Sequence, residues 1–301
     1  MAKPEKTKEH KFYAINVKLR KRNSKQDLKP EDYVRVFQKV FNEKIHKQSS
    51  SSKHCIFRFM QAEKGANKEV LYLTGILVQF TFIENEKWFN LKNMDLDEAF
   101  KVPDDLFPDP VQTEFIFVPA AHRFCFKFGA GANLSPNPIK LFLERALNEA
   151  CKSDEFVQVD LETDHSTIRK IMNAKELKKL KISINYSNLD IGSDIKKFVE
   201  DENRKTNLKK IEIVATPKTG ESIDLNDSII LSGALQGVPS NGEAEATIIN
   251  ENNKREKIKT SNYPVVLRVK GTISRLFDLT YTRIMSNYRN DGNNKPNKPK
   301  S

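Results

Sequence analysis

His122-Arg-Phe-Cys-Phe-Lys-Phe128, followed at once by Gly-Ala-Gly-Ala-Asn-Leu-Ser-Pro-Asn-Pro138, is the stretch that decides the fold. Phe124, Phe126 and Phe128 alternate with Arg123, Cys125 and Lys127, so one strand face is wholly aromatic. Beyond the turn, Ile139, Phe142, Leu143, Ala146, Leu147 and Ala150 recur at helical spacing. The glycines permit the turn, and Ser135 or Asn137 can cap the helix with a proline next in either case. A strand, a sharp turn and an amphipathic helix therefore form one unit.

Outward from that unit the same periods recur. Glu114–Val118 and His122–Phe128 read as a hairpin joined through Pro119-Ala-Ala. Lys11–Leu19 reads as a strand, with Phe12, Ala14, Asn16 and Lys18 on one face and Tyr13, Ile15, Val17 and Leu19 on the other. Pro30 opens a helix whose stripe is Tyr33, Phe37, Val40, Phe41 and Ile45. Strands near Cys55–Met60 and Val70–Ile83 follow, the second with a bend expected at Gly75. Phe156–Leu161, a short helix near Ser166–Met172, and Leu180–Tyr186 continue the alternation. A further helix is expected over Ile195–Thr206, before a strand at Ile211–Ala215.

The fold class that follows is α+β. A strand-rich N-terminal domain spans 11–118, and a central ferredoxin-like β-α-β-α-β layer spans 119–215. A smaller β-rich part over 216–286 is read as short strands on long loops, with a terminal helix from Gly271 onward, or a strand there on account of Thr280 to Thr282. Basic residues 1–10 and the Asn/Lys/Pro-rich 287–301 read as disordered tails.

The chain of 301 residues carries a net charge of +11, unevenly placed. Residues 1–54 hold 15 basic and 6 acidic side chains, whereas 55–112 hold 6 and 10. Concentrated positive charge attracts polyanions, nucleic acid first. The loop Lys18-Leu-Arg-Lys-Arg-Asn-Ser-Lys25 supplies Lys18, Arg20, Lys21, Arg22 and Lys25 as phosphate contacts. Lys178, Lys179 and Lys181 form a second basic patch, beside Lys175 and ahead of a strand. A solvated loop and an ordinary charged helix end are the bland readings of the two patches.

Catalytic signatures are absent from the sequence, and no metal or cofactor is expected. The five histidines, His122 among them, form no metal-binding spacing, and no phosphate-cradling or nucleophile-elbow motif occurs. Asp164 with Glu176-Leu-Lys178 superficially matches the carboxylates and lysine of metal-dependent nucleases. Those enzymes need the Glu-x-Lys on a strand, and Glu176 reads as a turn residue. Trp88 and Phe89 read as core residues, with an exposed protein contact as the alternative. Cys55, Cys125 and Cys151 are far apart and odd in number, which fits a reducing, cytoplasmic compartment without disulfides. Nothing at the N-terminus reads as a secretory signal, and Val70–Ile83 is too short and too polar to span a bilayer, so no membrane partner is expected.

Several ordered blocks resemble a prokaryotic family, domain of unknown function 4747. They are Tyr72-Leu-Thr-Gly75 with Phe80, Trp88-Phe-Asn90, Val102-Pro103, Phe115-Ile-Phe-Val-Pro119, His122-Arg-Phe124, Leu134-Ser-Pro136, and Asn188 with Asp190. The resemblance covers about residues 11–215, with no match seen after 250. More loosely, the layout is similar to the phage-exclusion protein RexA and the Kiwa-system protein KwaB. That likeness implies a role in anti-phage defence with DNA binding that has no sequence preference, DNA rather than RNA. With the charge and cysteine usage, the expectation is a cytoplasmic, non-enzymatic component, and a metal-dependent nuclease is the weakest reading. RexA-like proteins also imply a homodimer. The alternative is a scaffold subunit that partners a defence effector protein.

Overall fold

The computed structural model describes residues 5–22, 28–83, 88–97, 103–129, 134–185 and 210–288. It is a mixed α+β chain whose strands fall into three sheets of eight, four and two strands. The large sheet takes β1 (Lys8–Lys21), β2 (Lys47–Gln48), β3 (Lys53–Lys64), β4 (Val70–Thr81), β7 (Val111–Val118), β8 (Arg123–Phe128), β9 (Glu155–Leu161) and β14 (Val266–Gly271). Its order is β14-β1-β8-β7-β4-β3-β2, with β9 also paired to β1. The two-stranded sheet is β5 (Trp88–Asn90) with β6 (Asp95–Asp97). The four-stranded sheet runs β11 (Lys210–Ala215), β10 (Glu176–Asn185), β12 (Gly242–Ile249), β13 (Arg255–Lys259).

The hairpin of β7 and β8 forms as its alternation predicts, with Phe115 opposite Phe126 and Phe117 opposite Phe124. These four rings face the main core with Phe37, Phe57 and Phe142. Phe37 stacks on Phe117 with centroids 4.1 Å apart, and Phe142 meets Phe57 edge-on at 5.3 Å. Two helices cover this face, α1 (Pro30–Asn42) and α2 (Pro136–Ala150). Ser135 stands at the α2 N-cap in extended conformation, with Pro136 after it. Gly129, at φ +89°, turns the chain away from β8 in the left-handed region that glycine alone enters freely. The α1 stripe is buried as its spacing predicts at Tyr33, Phe37 and Val40, with Phe41 at the margin, and Ile45 is buried just past the helix end.

The opposite sheet face is covered in part by α5 (Leu276–Tyr288), whose Leu276 and Ile284 pack on Phe12, Ala14, Ile116, Cys125 and Leu267. The second sheet is one-sided. Its inner face packs Leu180, Ile182, Ala246 and Ile248 against Ile168 and Ile171 of α3 (His165–Met172) and Leu235 and Val238 of α4 (Ile229–Asn241).

This partition corrects the expected central ferredoxin-like layer over 119–215. The strands β8 and β9 join β1 in the large sheet, whereas β10 and β11 belong to the second. The segment 119–215 is therefore shared between two layers. Local alternation identifies a strand but not the sheet that it joins. The C-terminal part is also more helical than expected: the apolar run at Ile229–Leu231 begins α4, because the Ser228 hydroxyl accepts the Leu231 N–H as an N-cap. Residues 8–10 are not tail but the start of β1, paired with β14. The helix expected over 195–206 and residues 289–301 lie outside the described residues. No described helix is long and apolar enough to cross a membrane. Cys55 and Cys125 are buried free thiols and Cys151 is half-buried; burial pushes Cys55 and Cys151 up to about 11.

Two contacts make testable demands. At Gly75 an added methyl would collide with the Phe59 backbone carbonyl and crowd the Phe115 ring, since the β3 bulge between Phe57 and Phe59 presses against it. Gly75→Ala should lower stability by about 1–3 kcal/mol in urea denaturation, the range for overpacking. Glu155, at the start of β9, accepts two hydrogen bonds of 2.7 Å from Arg35 of α1. Burial is the largest single influence and would raise this carboxyl, but the Arg35 hydrogen bond, the Lys152 backbone N–H and the charges of both residues together outweigh it and hold the pKa below the ordinary 4.5. A depressed carboxylate contributes stability that is full above its unfolded value and lost as pH falls through its folded one. The stability gap between wild type and Glu155→Gln should thus stay constant above about pH 5 and narrow below about pH 4.5 in denaturation midpoints.

Candidate functional site

Of the basic run 18–25, Lys18 to Lys21 belong to a strand and not to a loop. β1 continues through Lys21, with Ile15–Lys21 paired to β9, so alternate side chains are sent to opposite faces. Lys18 is 5% exposed, opposite Gln158. Arg20 is half-buried, and Lys21 lies 3.9 Å from Asp154. Arg22 is exposed, its N–H bonded to the Asp154 carbonyl at 2.6 Å. Lys25 lies outside the described residues. The strand's apolar face disclosed its own burial in the sequence, but the pairing with β9 that buries Lys18 left no local signal.

Lys18 belongs to a buried polar row on that sheet face, with Asn16, Gln158 and Asp160. Next to it lies a second set that the sequence did not reveal. The Arg123 Nε is 2.6 Å from Glu162 Oε1, and its Nη1 donates to Asn16 Oδ1 at 2.9 Å and to the Ala121 carbonyl at 3.0 Å. The guanidinium also lies over the Tyr288 ring, 4.2 Å from its centroid, while the Tyr288 hydroxyl donates to Glu162 Oε2. Burial opposes the charge on Arg123 most strongly, but Glu162, Tyr288 and Cys125 together outweigh it, so the guanidinium pKa is raised. Burial, helped by Glu162, raises the Tyr288 phenol as well. Every group is engaged and the cluster ties the end of α5 to the sheet, which makes it a structural clamp.

The second patch is better placed. β10 begins at Glu176, so Lys178, Lys179 and Lys181 are strand residues and not the lead-in that their charge implied. The register sets Lys181 opposite Val214 and Glu245, Lys179 opposite Thr247, Glu245 opposite Lys259, and Thr247 opposite Lys257. Directly paired residues share a face. The outer face of the second sheet therefore carries Lys179, Lys181, Lys210, Arg255, Lys257 and Lys259 against Glu212, Glu243 and Glu245, with Glu176, opposite Ile249, at its end. Glu212 is shared by Lys210 at 2.7 Å and Lys181 at 3.2 Å, and Glu245 lies 3.0 Å from Lys259. The Lys259 hydrogen bond and charge lower the Glu245 pKa, with Lys181 and Lys179 adding to it. Lys179, Lys257 and Lys259 are exposed, and no described element packs on this face. Lys178 turns to Glu176 at 2.5 Å and to the Glu221 carbonyl, which neutralises that end of the strand.

The nuclease-like pattern does not assemble as a metal site. Glu176 does lie on a strand, contrary to the turn expected, but it pairs with Lys178, and Asp164 is the N-cap of α3, accepting the Ser166 N–H at 2.8 Å. Among the described residues no group of three or more His, Cys, Asp or Glu could hold a metal ion. His122 has φ +55° and stacks on Tyr33 at 4.8 Å, as a turn residue. His46 and His54, diagonal neighbours across the β2–β3 turn, bring their Nδ1 atoms to 3.0 Å against Phe82.

The clamp makes a prediction that separates it from the basic face. Glu162→Gln leaves Arg123 buried without a counter-charge and should lower stability by about 3–5 kcal/mol in urea denaturation. Replacing the pair together, Arg123→Met with Glu162→Leu, should recover most of that loss.

A family model described as Domain of unknown function (DUF4747) matches residues 8–284. The match runs through β14 and most of α5, beyond residue 215 where the resemblance read from the sequence ended and past 250, after which none was seen. No curated protein matches.

Proposed function

We propose, for a chain that belongs to the Domain of unknown function (DUF4747) family, that it is a binding protein whose open four-stranded face docks the phosphate backbone of nucleic acid. One observation carries the reading: on a sheet face that no described element covers, six basic side chains meet three acidic ones besides the neutral Glu176–Lys178 pair, and single glutamates are shared between lysines. Phosphates arriving at this surface find ammonium groups already held in register by the β-ladder, and neutralising them releases counterions. Among the described residues no exposed aromatic stands between these lysines, which favours contact through phosphates over base stacking. Such contact carries no sequence information. DNA as the ligand, and anti-phage defence as the setting, rest on the likeness in layout to RexA and KwaB.

A titration of labelled duplex DNA, single-stranded DNA and RNA at several salt concentrations tests this. Affinity should fall steeply with salt, and Lys179→Ala with Lys257→Ala should make the log–log slope shallower by about 1 per lost contact. Glu245→Gln should tighten binding about 2–5-fold, the scale of one surface charge pair. Binding that ignores salt, or a slope that the lysine variants leave unchanged, overturns the assignment.

A further inference from the structure

The hairpin of β5 and β6 is paired with no other described strand. Phe89 lies directly opposite Leu96, so the two share a face, and they are 54% and 53% exposed. Leu91 and Met94 in the connecting turn are 80% and 70% exposed. Four of the eleven large apolar side chains exposed among the described residues thus fall within these ten positions, where sequence reasoning expected core packing at Phe89. A two-stranded ribbon is marginal in water by itself, and three or more strands with an apolar face are needed for independent stability.

The two strands differ in what their edges tolerate. β6 reads Asp95-Leu96-Asp97, and charged side chains on an edge oppose further pairing. β5 reads Trp88-Phe89-Asn90 and carries no charge. We infer that β5 is the contact through which two copies of this chain pair, antiparallel, about a twofold axis at Phe89. The product is a four-stranded sheet in which each β6 is outermost. Leu96 and Phe89 of one copy then continue into Phe89 and Leu96 of the other as one apolar face, which meets the self-complementarity that a twofold contact requires. The aspartates stay on the outer strands, separated by three strand spacings of about 4.8 Å each, beyond the Debye length of about 8 Å. Strand addition of this kind draws affinity from main-chain hydrogen bonds and specificity from the side chains flanking them.

Sedimentation of the full chain from about 1 to 200 µM reads the outcome directly, because association shows as a concentration-dependent mass. The expected limit is about twice 34.6 kDa. Phe89→Glu should raise the dissociation constant roughly 100-fold, as removal of a central anchor does, with an unchanged circular-dichroism melt. Ile273→Glu, at another exposed apolar residue, should leave the dimer intact. Phe89→Cys should cross-link to itself under oxidation, since equivalent residues adjoin at a twofold axis. A monomer throughout the range, or a dimer that survives Phe89→Glu with no Phe89→Cys cross-link, overturns the inference.

Discussion

The structure depends on one long strand being paired along both edges. β1 bonds β8 on one side; on the other it meets β14 with its first half and β9 with its second. The bridge from Thr163 to Pro264 joins those two end to end. A strand this central has no solvent face over most of its length. Ile15, Val17 and Leu19 enter the core beneath α1 and α2, and Phe12 and Ala14 enter the one beneath α5. Register is then strongly fixed, because a slip by one residue would exchange the contents of two cores. The same pairing brings the polar residues Asn16 and Lys18 indoors, where isolated charge is unfavourable and each group must be matched.

That requirement explains the difference between the two basic regions. On β1 the large sheet is complete, so positive charge is absorbed by carboxylates and amides within the fold. Arg123 and Glu162 show the cost structure of such a site: the pair holds α5 in place, yet stability hangs on both members being present. On the second sheet only one face is needed to cover α3 and α4. The other is left to lysines and glutamates that remain solvated, where ion pairs contribute little and can be exchanged for an external anion.

Much of the architecture was legible in the sequence wherever a periodic segment also had an apolar face. Phe124 and Phe126, Tyr33 and Phe37, and the stripe from Ile139 to Ala150 sit where their spacing placed them. What could not be read was membership: Val159 and Ile182 alternate alike, yet they lie in different sheets, because long-range pairing has no local signature. α4 was missed since Gly233, Gly237 and Pro239 punctuate it as a loop would be punctuated, while its mixture of small and apolar residues suits a buried helix face. The site was partly legible. Lys179 and Lys181 were picked out by charge density, but Lys257 and Lys259 join them only through the pairing of β10 and β13 with β12. The hairpin of β5 and β6 was misread at Phe89 because an aromatic residue has the same appearance in sequence whether a core or a second molecule is to cover it.

The basic face and the apolar hairpin gain meaning together. With the Glu176–Lys178 pair neutral, one face offers an excess of about three charges, and non-specific affinity scales with the number of phosphates neutralised, so on the proposed reading a single copy would bind a polyanion weakly at physiological salt. A twofold dimer presents two such faces on one particle. The second contact then becomes intramolecular, and linked weak sites reach an avidity that exceeds either alone by about 10²–10⁴ where the ligand spans both. A long phosphate backbone satisfies that condition and a free nucleotide does not. On that reading, length discrimination would arise from assembly rather than from any pocket, as expected where the proposed recognition surface is one face of a sheet.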